Sequence, residues 1–122
     1  NPLGALLGVS YGHLAEDPDT HAIMDTVIEE TFAVAEAEDV ALPWRDAAEY
    51  RDVFYGRLVP STAEHRSSML QDVERGRPTE IDAINGHVAA RGAACGVPAP
   101  VNATLTRLIR ARARRGNERS DV

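Results

Sequence analysis

An all-α fold is predicted for this chain, and three observations predict it. Apolar residues recur three or four positions apart along most of its length. No stretch sustains the period-two alternation of a half-buried strand, and helix start and stop residues punctuate the apolar runs. Asp17 followed by Pro18 opens the series: an N-cap, then proline at the first helical position, where the missing N–H costs nothing. Ile23, Met24, Val27, Ile28, Phe32 and Ala35 then share a face, which predicts a long amphipathic helix from about 18 to 38.

A second helix is expected after Pro43, with Ala47, Tyr50, Phe54 and Leu58 spaced three or four apart and Pro60 as its stop. Ser61 and Glu64 have capping-box spacing, so a third helix is expected from Ser61 through Met69, Leu70 and Val73 to Gly76, a residue suited to a left-handed C-terminal position. Thr79 can cap a fourth, whose apolar stripe is Ile81, Ile84, Val88 and Cys95; Gly96 closes it, and Pro98 and Pro100 forbid continuation. Asn85 and Gly86 would then lie inside that helix at a cost of roughly 1.5 kcal/mol relative to alanine. Either close approach of a backbone or ligand, or tight helix packing at Gly86, has to offset that cost. A last helix from about Asn102 to Arg112 uses Leu105, Leu108 and Ile109, and residues 113–122 read as a frayed, solvated tail.

At 122 residues the chain is the size of one domain. Hydrophobic residues make up 43% of it, yet no apolar run approaches the roughly 20 residues that span a bilayer. The single cysteine, Cys95, excludes an intrachain disulfide and a thiolate metal cluster within one chain, and it reads as an inert buried thiol. All 13 basic residues are arginine. Residues 1–102 carry seven of them against seventeen acidic residues, a balance of −10, whereas residues 103–122 carry six against two, a balance of +4. The acidic body argues against nucleic-acid binding, which requires phosphate neutralisation.

The segment from Ser67 to Gly86, SSMLQDVERGRPTEIDAING, carries the most specific signal. It resembles a signature of the ketopantoate reductase (2-dehydropantoate 2-reductase) family, in which Ser-Ser-Met-x-x-Asp leads through a Gly-Arg-x-Thr turn to Glu-Ile-Asp-x-Ile-Asn-Gly. Asn1-Pro2-Leu3 at the start, and Gly96 with Pro100, Asn102 and Leu105 near the end, are similar to the family's flanking motifs, in the same order and spacing. The resemblance runs from residue 1 to about residue 110. It implies the helical carboxy-terminal domain found in this family and in the wider 6-phosphogluconate dehydrogenase superfamily. It also implies a cytoplasmic, NADPH-dependent reductase of pantothenate and coenzyme A biosynthesis acting on ketopantoate, and it leaves a homodimer open. The family's amino-terminal half is a Rossmann NADP-binding domain; no G-x-G-x-x-G unit occurs here and the first residue is Asn, so residues 1–122 are expected to be a carboxy-terminal fragment.

The same resemblance assigns roles. Asn1 corresponds to an asparagine that touches substrate, Ser68 to a serine that hydrogen-bonds it, and Glu80 to a glutamate beside the cofactor's nicotinamide ribose. From sequence alone Asn1 is a chain end, Ser68 a helical serine bonding its own backbone or water, and Glu80 a first-turn charge worth about 0.3–1 kcal/mol against the helix dipole. Tyr11 breaks the pattern: it stands in Tyr11-Gly12-His13-Leu14 where the family has a substrate-touching asparagine, which puts the identity of the 2-keto acid in question. The family's proton donor is a lysine on the helix leading into Asn1, before residue 1, and this chain contains no lysine, so the fragment alone is expected to be inactive.

Other features read more plainly. Asp17, His21 and Asp25 are four apart, but without metal-ligand spacings they read as a surface charge pair, and no metal is expected. His87, seven residues after Glu80, would share its helix face and border the cleft or the surface. Trp44 reads as a core or interface anchor. A reading from a different class is a helical assembly or binding module without catalysis, and another is a reductase of a related 2-keto acid.

Overall fold

A computed structural model describes the backbone of residues 1–120 and side chains through residue 115. Among the described residues every regular element is helical: α1 (Pro2–Leu7), α2 (Tyr11–Glu16), α3 (Pro18–Ala37), α4 (Ala47–Val53), α5 (Val59–Ser61), α6 (Ser68–Glu74), α7 (Asn85–Cys95) and α8 (Pro100–Ser120). Helix α8 is central and packs against α1, α3, α6 and α7. Ala5, Met69, Leu70, Val73, Ile81 and Ile109 form one buried cluster between α1, α6 and α8. Leu3, Leu14 and Leu105 form a second, flanked by Tyr11, Met24, Val27 and Val101.

The long helix α3 is as expected. Asp17 caps it by accepting from the Asp19 and Thr20 amides, and Pro18 occupies its first turn. Gly76 and Gly96 both take left-handed φ values, 69° and 77°, after α6 and α7. Helices α1 and α2 were not expected; each is six residues long, too short for an apolar stripe to stand out.

Three boundaries are corrected. Pro60 does not stop the second helix, because Phe54–Leu58 widens into a π-helix and the chain continues into α5. The wider turn suits a residue without an N–H. The Ser61–Glu64 capping box does not form: Ser61 ends α5, its hydroxyl donating to the Leu58 carbonyl at 2.9 Å, and the next helix starts at Ser68 with Ser67 as its cap. The fourth helix is preceded by Ile84 at its N-cap position rather than Thr79, and starts at Asn85. Thr79 caps only a tight turn, where the Ile84 amide donates to the Glu80 carbonyl and the Gly86 amide to that of Ile81.

Asn85 therefore opens α7 instead of interrupting it, and the propensity cost expected for a mid-helix Asn-Gly pair is not incurred. Gly86 is held close: a Cβ there would sit 3.2 Å from the Ile81 carbonyl oxygen and 3.3 Å from Thr106. The last helix passes the expected stop near Arg112 and reaches Ser120; residues 121–122 of the expected tail lie outside the described residues.

One tie across the fold had no local signal. The Glu30 carboxylate, in the middle of α3, accepts from the Val101 and Asn102 amides at 3.0 and 2.9 Å and so caps α8 from another helix. It also accepts from Asn102 Nδ2 at 2.9 Å, and Asn102 Oδ1 in turn accepts from Asn85 Nδ2 at 2.8 Å.

Candidate functional site

Asn1 lies at the edge of a largely apolar cleft of about 270 Å³. Leu3, Tyr11, Met24, Tyr50, Phe54 and Ile84 are among its walls, and Asn85 and Leu105 close its side. The polar end is built around Asn1. Its Oδ1 accepts from the Tyr11 hydroxyl at 2.6 Å and from the Ser67 hydroxyl at 3.1 Å. Ser67 is fully buried and serves twice, because its oxygen also accepts from the Met69 amide as the cap of α6.

Backbone packing holds Tyr11 in place. The Tyr11 amide donates to the His65 carbonyl at 3.0 Å and the Gly12 amide to the Ala63 carbonyl at 2.8 Å. A Cβ at Gly12 would lie 2.9 Å from that of Ala63, so only glycine allows this approach of α2 to the 63–65 segment.

The lining also carries a polar group that the sequence motif matched without assigning it a role. Asn85 is 4% exposed, and its Oδ1 is buried with no hydrogen-bond partner. Its polarity is set from a distance. The Glu30 carboxylate can only accept, so Asn102 must donate to it through Nδ2 and accept through Oδ1; Asn85 must then donate through Nδ2. The orphaned carbonyl follows from that chain of constraints.

The expected site residues separate into two groups. Asn1 and Tyr11 are brought together and both line the cleft. Ser68 and Glu80 do not line it: Ser68 is exposed at the first position of α6, and Glu80 is exposed in the turn preceding Ile84 and Asn85. Because Glu80 precedes α7, His87 does not share a helix with it; His87 is exposed and does not line the cleft. Cys95 is half-buried rather than buried, with its thiol 3.6 Å from the Gly92 carbonyl.

An aromatic series runs from Trp44 through Tyr50 and Phe54 to Tyr55, whose ring stacks on His21 at a centroid distance of 4.1 Å. Tyr55 donates to Asp25 at 2.7 Å, and His21 Nε2 lies 3.3 Å from the same carboxylate. Burial first, then the bond and charge of Asp25, push the Tyr55 phenol well above its ordinary range. Burial also raises that of Tyr50. Asp17 stands apart from this pair as the cap of α3. Among the described residues no three His, Cys, Asp or Glu side chains are grouped to hold a metal ion, and no helix is long and apolar enough to cross a membrane.

Residues 1–113 match the family described as ketopantoate reductase PanE/ApbA C terminal. The chain is similar to the 2-dehydropantoate 2-reductase of Aquifex aeolicus, 47% identical over 112 residues, which are 92% of this chain and 36% of that protein. It is also similar to that of Archaeoglobus fulgidus, 36% identical over 90% of this chain and 35% of the relative. The chain thus spans about a third of the length of these relatives. Among solved structures it is similar to a PanE/ApbA family ketopantoate reductase from Ralstonia eutropha JMP134 (TM-score 0.84, 37% identity, 96% of this chain and 38% of that one). A ternary structure of D-mandelate dehydrogenase with NADH and anilino(oxo)acetate is similar to the same degree in shape (TM-score 0.84, 32% identity, 96% of this chain and 37% of that one).

Proposed function

Because the chain belongs to the ketopantoate reductase family, matching its carboxy-terminal domain, we propose that residues 1–122 are the substrate-binding domain of a longer NADPH-dependent reductase. That enzyme converts 2-dehydropantoate to pantoate in pantothenate and coenzyme A biosynthesis in the cytoplasm. The observation that carries the reading is the Asn1 amide, held by two hydroxyls at the edge of an apolar cleft. It leaves an NH₂ group without a partner among the described residues, a donor suited to an oxygen of a 2-keto acid.

The residues present suit the nicotinamide end of the cofactor. The orphaned acceptor of Asn85 and the apolar walls formed by Leu3, Met24 and Ile84 match a flat ring bearing an amide. The exposed Glu80 carboxylate, in the turn that leads into Ile84 and Asn85, can accept from ribose hydroxyls. When bound, NADPH supplies the hydride. Asn1 Nδ2 then binds the keto acid in the cleft, whose apolar walls keep water from the reacting carbon, and the exposed Ser68 hydroxyl, next to Ser67 but outside that lining, meets the acid from the cleft's outer side. The family resemblance assigns the proton for the developing alkoxide to a lysine, and as these residues contain none, this reading leaves that step to another part of the longer enzyme.

A second reading is favoured by two observations, the departure at Tyr11 and the similarity in shape to D-mandelate dehydrogenase. In it the enzyme reduces a related 2-keto acid other than ketopantoate. Oxidation of NADPH and of NADH by the full-length protein, with ketopantoate, 2-ketoisovalerate and phenylglyoxylate in parallel, separates the two. A kcat/KM highest for ketopantoate with NADPH is expected; a preference for phenylglyoxylate would replace the first reading by the second.

A further inference from the structure

Tyr11 stands where an asparagine was expected, and the structure shows what its hydroxyl does instead. At 2.6 Å from Asn1 Oδ1 it makes the shortest contact in the polar end of the cleft. That separation fits an O–H donating to oxygen better than an amide N–H donating to a phenol. Ser67 points to the same orientation. Its oxygen already receives the Met69 amide, and its single proton has Asn1 Oδ1 as its acceptor. If the Asn1 amide were turned over, both hydroxyl protons would face an NH₂ group, and the Ser67 proton would be buried without an acceptor. Two donors therefore occupy both lone pairs of one carbonyl oxygen, and Nδ2 is the only polar atom of that side chain left for the cleft.

We propose that Tyr11, together with Ser67, is a positioning residue that locks the Asn1 amide with its NH₂ toward the cleft, making Asn1 a donor-only group selective for an anionic or carbonyl oxygen of the substrate. This rests on the reading of Asn1 as a substrate-binding residue. Tyr11 acts on the substrate through Asn1 rather than by touching it. An amide free to turn over presents its acceptor to a carboxylate part of the time; a locked one does not. The aromatic ring has a separate task, packing against the cluster of Leu3, Leu14 and Leu105. Removal of the hydroxyl alone therefore tests the lock without emptying the core.

In the full-length reductase, with its best 2-keto acid, kinetics are compared for Tyr11→Phe, Asn1→Ala and the double variant, with thermal unfolding to confirm intact folding. Tyr11→Phe is expected to raise KM about three- to tenfold, the worth of one neutral hydrogen bond, while kcat changes less. In the Asn1→Ala background the same substitution is expected to have no further effect, since there is no amide left to orient. Equal effects in both backgrounds would mean that Tyr11 meets the substrate itself and would overturn the proposal while leaving the role of Asn1 intact. A silent Tyr11→Phe beside an impaired Asn1→Ala would overturn it too. If Asn1→Ala is itself silent, the reading of the site fails, and the positioning role fails with it.

Discussion

Ser67 and Ser68 are chemically identical neighbours with opposite surroundings. Ser67 is buried, caps α6 and touches Asn1, while Ser68 is exposed at the start of the same helix. Substitution should split accordingly. Ser67→Ala removes a cap and leaves the Met69 amide short of an acceptor, an expected loss of about 0.5–2 kcal/mol in stability, read by urea unfolding. Ser68→Ala in the full-length enzyme should leave stability unchanged and lower kcat/KM for the keto acid. Glu80→Ala should act instead on the cofactor's KM. A lost hydrogen bond to a charged group corresponds to about 1.5–3 kcal/mol, on the order of ten- to a hundredfold in either case. Unchanged kinetics for both would remove Ser68 and Glu80 from the site. The sequence could distinguish the two serines only through the helix start. With the helix placed from Ser61 both were interior; Ser67 two residues before the apolar pair Met69-Leu70 was the N-cap signal to weigh instead.

Among the elements, those with strong caps were legible and those defined by distant contacts were not. Asp17-Pro18 fixed the start of α3 because both signals are local, and Gly76 and Gly96 marked ends because left-handed φ is a local demand. The start of α7 was missed by five residues. Its first turn is chosen by the buried pairing of Asn85 with Asn102, seventeen residues away, against the local preference of Thr79 and Glu80. Glu30 shows the same limit: on α3 it looks like one more exposed charge, yet it caps α8. Glu30→Ala should cost about 1.5–3 kcal/mol, because three donors lose a charged acceptor and Asn102 becomes free to turn over. Asp17→Ala, at an exposed cap whose partners can turn to water, should cost about 1 kcal/mol. Chemical denaturation of the two variants checks the order, and an equal or smaller loss for Glu30→Ala would show that α8 does not depend on this tie.

For the whole molecule, two expectations follow from how the helices enclose their aromatic residues and from what the chain lacks. Tyr50 and Tyr55 hold their protons above the ordinary phenol value of 10.0. Their contribution to stability is therefore complete below pH 10 and is lost as pH rises through the folded-state values, because the unfolded chain ionises first. Unfolding followed from pH 9 upward should show this decline in the parent chain and less of it in Tyr50→Phe and Tyr55→Phe; equal declines in all three would assign the alkaline loss elsewhere. The second expectation concerns residues 1–122 by themselves. Two buried clusters meet across α8, and α1, α3, α6 and α7 all pack on it, so the chain has the core needed to fold unaided. Its cleft lining includes an Asn1 donor and, apart from it, an Asn85 acceptor, but the sequence holds neither a lysine to deliver a proton nor a glycine-rich loop to grip a pyrophosphate. The isolated chain should thus give a helical circular dichroism spectrum with a cooperative thermal transition, and show no ketopantoate-dependent oxidation of NADPH. Adding the separately expressed remainder of the enzyme should restore activity if the missing groups are all that the cleft needs. Turnover by residues 1–122 alone would place a proton donor inside this domain and refute the division of labour argued from its composition.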